Sequence, residues 1–196
     1  MGQIENKKTV DLKGQFLIAM PSVQDPFFYK SVVYICEHDD EGSVGLTINQ
    51  PLDLTVGKIL EQFTSEVTNY HLTPQLIQPV FSGGPVFPDR GFVIHPPLKE
   101  TFASTVNVSD SIQITTSKDI LSILGKSKEP EDYLVALGFA EWRAGQLEHE
   151  LQNNTWLITQ ANEDILFHTP VEQRWNKAIQ QLGINPLHLS ENTGHA

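Results

Sequence analysis

Residues 133–140 constrain the fold more than any other part of the sequence. They read Tyr-Leu-Val-Ala-Leu-Gly-Phe-Ala, a nearly unbroken apolar run of strand length. A strand with apolar residues on both faces is typical of the middle of a sheet that is covered on both sides. We therefore expect this segment to be a central strand and the heart of the core.

Shorter patterns on either side predict a mixed sheet. Residues 31–38 are β-branched and aromatic, the polar turn 39–43 follows, and residues 44–49 alternate between apolar and polar, which predicts a hairpin. Further strands are predicted at 14–20, 79–81, 91–95, 111–116, 156–159 and 165–167, and helices at 55–63, 117–125, 144–153 and 170–182. Because strands and helices alternate only in part, we predict an α/β fold with α+β character. It is a single compact domain with a mixed β-sheet of about eight strands and helices packed on it.

Length and composition fit one globular domain. The chain has 196 residues, of which 39% are hydrophobic and 19% are charged. These values are typical of a folded protein with its own core. We expect a flexible N-terminal tail at 1–13, a domain at 14–186 and a C-terminal tail at 187–196, with a surface excursion at the polar stretch 64–78.

The charge balance restricts the partners. Thirteen Lys and Arg stand against 24 Asp and Glu, a net charge of −11. This sign is wrong for neutralising phosphates, so direct DNA binding is disfavoured. A single Cys excludes an internal disulfide framework and suits a reducing compartment. The chain shows no apolar run of signal-peptide or membrane-spanning length, so we expect a cytosolic protein that does not enter a membrane.

Cys36 and His38 are the first candidate site. Residues two apart on a regular strand project from the same face, so the two side chains could meet. An imidazolium would lower the pKa of the thiol and make Cys36 a redox sensor or a nucleophile. The alternative is a structural Cys, because Cys is among the most buried residue types and Val32 and Tyr34 would share its face.

The turn Ser82-Gly-Gly-Pro85 is the second candidate. Consecutive backbone N–H groups at Gly83 and Gly84 could form an anion nest, with Arg90 as charge partner and His95 close by. This arrangement would make a small-anion or metabolite-binding module. The turn lacks the Lys of a Walker A loop and the spacing of a dinucleotide fold, so neither ATP nor NAD is implied. The alternative is a tight structural turn.

A third candidate is the pair Trp142 and Gln146, four residues apart near a predicted helix start. They could line a pocket, although a Trp at such a position is also typical of a core. The seven His and the many carboxylates show no metal-ligand spacing such as His-Glu-x-x-His, paired Cys-x-x-Cys or a calcium loop. We therefore predict no metal and no cofactor.

Several blocks of the sequence resemble a known family in their order. The run 16–21 and Asp25-Pro26 are followed by Ser-Val-Val-Tyr-Ile-Cys-Glu-His at 31–38. Later blocks are Gly83-Gly-Pro85, Asp89-Arg-Gly-Phe92 with His95, Thr115-Thr-Ser-Lys-Asp119, Leu134-Val-Ala-Leu-Gly138, Gly145-Gln-Leu-Glu148 and residues 167–175. Together they resemble the bacterial YqgE/AlgH family over nearly the whole chain. This chain has Glu141 before Trp142, where that family usually has Gly.

The resemblance implies a compact α/β domain that is cytosolic in bacteria, and it carries over no catalytic residue. The AlgH branch is described as a candidate transcriptional regulator of alginate production. Because this chain shows no helix-turn-helix signal and has the wrong charge for DNA, we predict a non-enzymatic regulatory or protein-interaction factor. Its effect on gene expression would pass through another protein, and an acidic surface would steer a basic partner toward it. The sequence leaves the oligomeric state open.

Overall fold

The computed structural model describes residues 11–63 and 74–189, and these residues form ten strands and three α-helices. The strands are β1 (Gln15–Ala19), β2 (Val32–Asp39), β3 (Gly42–Thr47), β4 (Pro51–Thr55), β5 (Pro79–Ser82), β6 (Val86–His95), β7 (Thr105–Asn107), β8 (Gln113–Thr115), β9 (Leu134–Arg143) and β10 (Trp156–Gln160). The helices are α1 (Val56–Phe63), α2 (Gln146–Gln152) and α3 (Arg174–Gln181). None of the described helices is long and apolar enough to cross a membrane. Most of the predicted tails and of the excursion at 64–78 lies outside the described residues.

Strand β9 is the centre of the sheet, as the apolar run predicts. Strand β6 pairs antiparallel with one edge of β9. On the other edge, antiparallel β3 covers the C-terminal half of β9 and parallel β5 covers the N-terminal half. The sheet continues in the order β10-β1-β2-β3-β9-β6-β8-β7, and β4 joins through β5. The predicted mixed sheet with packed helices is confirmed, and the short strands β4 and β7 are additional to it.

The sheet curls around an inner core. Side chains of β2 and of β7, which lie far apart in the strand order, line one cavity, so these two parts of the sheet approach each other. The inner core lies on this concave side, and Trp175, Ala178 and Ile179 of α3 enter it. The indole N–H of Trp175 donates a hydrogen bond of 2.9 Å to the backbone oxygen of Ala19, which fixes α3 against β1.

Two outer cores cover the opposite side of the sheet. In one, Ile59 and Leu60 of α1 pack with Val135. In the other, Leu147 of α2 packs with strand and loop residues that include Leu12. Alternate residues of the central strands therefore enter the inner core or an outer core, and both faces of the sheet are covered. The burial of Leu12 also places the start of the packed chain before residue 14.

Three predicted elements take a different form. Residues 165–167, predicted as a strand, lie in the π-helical turn Asp164–His168, because a three-residue apolar run fits either structure. The helix predicted at 117–125 is only the 3₁₀ turn Lys118–Ser122, since the Asp119 carboxylate is held by the distant N–H of Ala103. The last helix opens with the 3₁₀ turn Val171–Gln173 before α3 begins.

Candidate functional site

A β-bulge in β2 decides where the side chains of Cys36 and His38 lie. The pairing of β2 with β3 shifts between Ile35 and Glu37, which leaves Cys36 as one extra residue. The two-residue alternation on which the thiol prediction depends stops at this point. Cys36 enters the inner core, whereas His38 pairs with Ser43 on the outer side. The bulge therefore separates the two predicted partners instead of bringing them together.

The His38 ring has other partners. Its Nδ1 lies 2.8 Å from the hydroxyl oxygen of Ser43, and its Nε2 lies 3.8 Å from a carboxylate oxygen of Glu148 in α2. The side chain of His38 is almost fully buried between them. This imidazole connects the β2–β3 hairpin to α2 and does not act on the thiol.

The environment of Cys36 keeps its proton in place. The residue is only 8% exposed, and its thiol donates a hydrogen bond of 3.4 Å to the backbone oxygen of Tyr34. Burial, with the negative charge of Glu37 as a second cause, raises the pKa of the thiol far above its usual range. Cys36 is therefore a neutral thiol at neutral pH, which is the opposite of an activated nucleophile.

The same bulge helps to build a cavity of about 230 Å³ on the concave side, here called the sheet groove. Side chains from six strands and the loops beside them line it: Cys36, Glu37, Val44, Arg90, Phe92, Ser104, Val106, Val108, Ile114, Thr116, Phe139 and Glu141. The groove brings together Cys36, from the predicted thiol site, and Arg90, from the predicted anion site. Most of its floor is apolar, and its charged side chains lie at the rim.

Two carboxylates stand on either side of Val44 at the rim. Val44 pairs with Glu37 on β2 and with Glu141 on β9, so the three residues form one row across the sheet. Neighbouring strands are about 4.8 Å apart, which puts the two acidic backbones about 10 Å apart. Among residues 11–63 and 74–189, neither carboxylate forms an ion pair. The Arg90 guanidinium lies 5.6 Å from the ring centre of Phe92 and supplies the cation of the rim.

Exposed apolar side chains extend the groove toward solvent. Val106, on the edge strand β7, is 40% exposed. Phe87 is 68% exposed and stacks on the groove residue Phe139 with ring centres 6.0 Å apart. Phe87 also has a φ of 45°, in the left-handed region that costs a residue other than Gly about 1–2 kcal/mol. The fold thus holds an aromatic ring at the surface in a strained conformation, as is typical of functional sites.

The glycines of the second candidate lie inside the sheet. The N–H of Gly83 donates a hydrogen bond of 2.7 Å to the backbone oxygen of Leu137. A Cβ on Gly84 would lie 1.8 Å from the carbonyl carbon of Phe139. Both positions let the chain approach β9 closely, and the N–H of Gly83 is not free for an anion. Arg90, their predicted charge partner, lies in the sheet groove.

His95 is a satisfied core histidine. Its Nε2 lies 2.9 Å from the hydroxyl oxygen of Thr115, and its Nδ1 lies 2.7 Å from the backbone oxygen of Pro96. Burial lowers the pKa of the ring, so His95 is neutral at pH 7. The ring faces Thr115 and Pro96 and not the two glycines.

Trp142 and Gln146 do come together, through a residue that the sequence analysis missed. The carboxylate of Glu150 accepts hydrogen bonds from the indole N–H of Trp142 at 2.9 Å and of Trp156 at 2.8 Å. It also accepts a bond of 2.9 Å from the side-chain amide of Gln146. The spacing of Gln146 and Glu150 on α2 was the one available signal. This network anchors α2 to the sheet and is not a pocket.

Across the described parts of the chain, no three His, Cys, Asp or Glu side chains are placed to hold a metal.

Comparison with known proteins supports the family resemblance. A family model described as AlgH-like matches residues 16–187. UPF0301 proteins of Vibrio vulnificus and Vibrio cholerae are each 51% identical, over 188 and 189 residues, and each match covers 95% of this chain and 100% of the relative. The solution structure of the AlgH protein from Pseudomonas aeruginosa has a TM-score of 0.74 at 39% identity and covers 100% of both chains. A crystal structure from Corynebacterium diphtheriae, 20% identical with a TM-score of 0.72, covers 92% of this chain and 93% of that one and shares the fold.

Proposed function

The chain belongs to the AlgH-like family, and we propose that it works as a non-enzymatic regulatory factor whose partner is a protein bound in the sheet groove. The observation that carries this proposal is the exposed apolar surface of the groove, with two carboxylates at its rim that have no ion pair among the described residues. Any effect on gene expression would then pass through the bound protein.

The apolar part of the groove favours a protein side chain as occupant. A volume of about 230 Å³ is smaller than the 300–1,000 Å³ typical of cofactor sites, but it holds one or two large side chains. Phe87 and Val106 enlarge the contact area outside the cavity. Exposed aromatic residues beside a cavity are typical of the centre of a protein interface.

The charges favour a basic partner. Glu37 and Glu141 would each meet a Lys or Arg, and neither has an ion pair to give up within the part of the chain that the structure describes. The net charge of −11 attracts such a partner over a longer range and speeds its association. We therefore expect the partner to present a large apolar side chain within a few residues of Lys or Arg.

The two sequence alternatives find less support in the geometry. Thiol chemistry needs an ionised thiol with a base beside it, but burial raises the pKa of the Cys36 thiol and His38 lies on the other side of the sheet. An anion nest needs free N–H groups at Gly83 and Gly84, and Gly83 donates to Leu137. A protein bound in the sheet groove requires neither an activated thiol nor free N–H groups at the two glycines.

The test is site-specific photo-crosslinking from the groove. Phe87→p-benzoylphenylalanine keeps an aromatic ring at the exposed position, and the variant is irradiated in extract of the organism that encodes the chain. The crosslinked segment is then sequenced by mass spectrometry. The same experiment is run with Glu37→Gln and Glu141→Gln together, and with the charge-matched control Asp53→Asn and Glu61→Gln, whose positions are exposed and lie away from the groove.

We expect one crosslinked segment that carries Lys or Arg next to a large apolar residue. Two weak ion pairs of about 0.5 kcal/mol each predict a yield about fivefold lower in the groove variant, and the control within a factor of two. Salt at about 0.5 M should also lower the yield, because it screens exposed charges. Equal yields in the two double variants, or a segment without a basic residue, would contradict the proposal.

A further inference from the structure

A second cavity lies mainly on the outer side of the sheet and shares Arg90, Phe92 and Thr116 with the sheet groove. It measures about 460 Å³ and is here called the outer pocket. Helix α1, the 3₁₀ turn Lys118–Ser122 and the strands β6 and β9 enclose it. Its floor is apolar, with Ile59, Ile120, Val135 and Leu137 among its lining residues. This volume lies in the range of small-molecule sites, 300–1,000 Å³.

A cation stands at the mouth of the outer pocket. The Lys118 ammonium lies 4.8 Å from the ring centre of Phe63, and Phe63 is 50% exposed although it lines the cavity. Within the described ranges Lys118 forms no ion pair. A cation held over an aromatic ring beside an apolar cavity can offer both its charge and part of its contact surface to a ligand.

The neighbouring acid does not neutralise Lys118. The carboxylate of Asp119 accepts hydrogen bonds from the N–H of Ala103 and from the hydroxyl of Ser117, and these contacts hold it at the turn. Asp89 is the carboxylate among the pocket's lining residues, and Arg90 lies beside it in the same lining. The lining of the outer pocket thus includes Lys118 and Arg90 against the one carboxylate of Asp89, and Arg90 also lines the sheet groove.

We propose that the outer pocket binds a small amphiphilic carboxylate, with its apolar body on the pocket floor and its carboxylate at Lys118. A cationic ligand would meet the charges of Lys118 and Arg90, and a neutral apolar ligand would leave the Lys118 ammonium without a partner. This inference does not depend on the protein partner of the sheet groove, because Lys118 and α1 belong to the outer pocket alone.

The test compares two probes with the same apolar body and a charged or a neutral head group, 4-phenylbutyrate and 4-phenylbutan-1-ol. Each is titrated into the isotopically labelled full chain, and dissociation constants are measured from backbone and methyl NMR shifts. The variant is Lys118→Gln, and the control is Lys177→Gln, an exposed lysine on α3 that undergoes the same charge change. Lys118→Arg keeps the cation.

We expect saturable shifts at Ile59, Ile120 and Leu137 with both probes, and binding of the acid about fivefold tighter than that of the alcohol. Lys118→Gln should remove this preference, whereas Lys118→Arg and Lys177→Gln should keep it. Shifts that do not saturate, that fall outside the pocket, or that show equal affinity for acid and alcohol would overturn the proposal. Glu37→Gln with Glu141→Gln should leave the affinities unchanged, so failure here is distinct from failure at the sheet groove.

Discussion

The substitution Gly84→Ala tests whether the two consecutive glycines serve strand packing or ligand binding. The new Cβ would lie 1.8 Å from the carbonyl carbon of Phe139 and 2.0 Å from its oxygen. Cβ atoms in proteins essentially never come within 3.0 Å of such atoms, so the two backbones would have to separate by more than 1 Å. The clashing atoms belong to the backbone of the central strand and cannot rotate away.

The magnitude follows from what this separation breaks. The neighbouring hydrogen bond from the N–H of Gly83 to the oxygen of Leu137 is 2.7 Å long, and a shift of this size takes it out of range. A buried unsatisfied pair costs about 1–3 kcal/mol, and overpacking of a core costs about the same again. We therefore expect Gly84→Ala to lower the free energy of unfolding by about 2–6 kcal/mol.

Gly145→Ala is the matched control. Gly145 has a φ of 74°, and a Cβ there meets nothing within 4 Å, so the substitution adds only the left-handed strain of about 1–2 kcal/mol. Both variants are unfolded in urea and followed by fluorescence, because Trp142, Trp156 and Trp175 are all buried. The packing argument would be refuted if Gly84→Ala lowered the free energy of unfolding by less than about 1 kcal/mol, or by less than Gly145→Ala does. The turn would then again be a candidate anion site.

Two further variants probe the polar groups that the fold has buried. Alkylation of Cys36 by iodoacetamide should stay slow across pH 7 to 9.5 in the native protein and titrate near pH 8.5 only in the unfolded chain. The folded state keeps the thiol proton to higher pH than the unfolded state, so the stability that Cys36 contributes is full below about pH 8.5 and declines above it. In urea titrations, Cys36→Ala should reduce this decline. An alkylation rate of the native protein that titrates below pH 8 would contradict this reasoning. Glu150→Gln should cost about 1–3 kcal/mol, because an amide NH₂ would replace the oxygen that accepts from Gln146, and the two indole hydrogen bonds would lose their charged acceptor. The exposed control Glu61→Gln should cost less than 0.5 kcal/mol, and equal losses would mean that the Glu150 network is not stabilising.

Local patterns predicted the centre of the fold. The apolar run of β9 and the β2–β3 hairpin are specified by residues close in sequence, because strand periodicity and turn chemistry act over a few residues. Elements decided by distant contacts were not predicted. The Asp119 carboxylate is held from the loop before β7, and this contact helps to limit a predicted helix to one 3₁₀ turn.

The candidate site was predicted only in part, for the same reason. Cys36 and Arg90 were identified as chemically interesting residues, but their meeting in one groove depends on the curl of the whole sheet. Glu150 was missed because its two indole donors come from β9 and β10, and one sequence does not show which strands become neighbours. The sequence leaves Gly84 open between an anion nest and a tight structural turn, because its clash partner, Phe139, is 55 residues further along the chain.

One extra residue in β2 explains both the lost thiol pair and the groove that replaces it. In a regular strand, Glu37 would follow Val33 and Ile35 onto the outer side, where α2 packs. An unpaired carboxylate buried there would cost several kcal/mol. The bulge turns Glu37 to the groove, where its charge is exposed, and gives the outer position to His38. The Nδ1 of His38 lies 2.8 Å from the Ser43 hydroxyl, and its Nε2, which has no hydrogen-bond partner among the described residues, lies 3.8 Å from the Glu148 carboxylate. Bulges are used in this way to redirect side chains at functional surfaces, so the irregularity at Cys36 is itself an argument that the groove is a site.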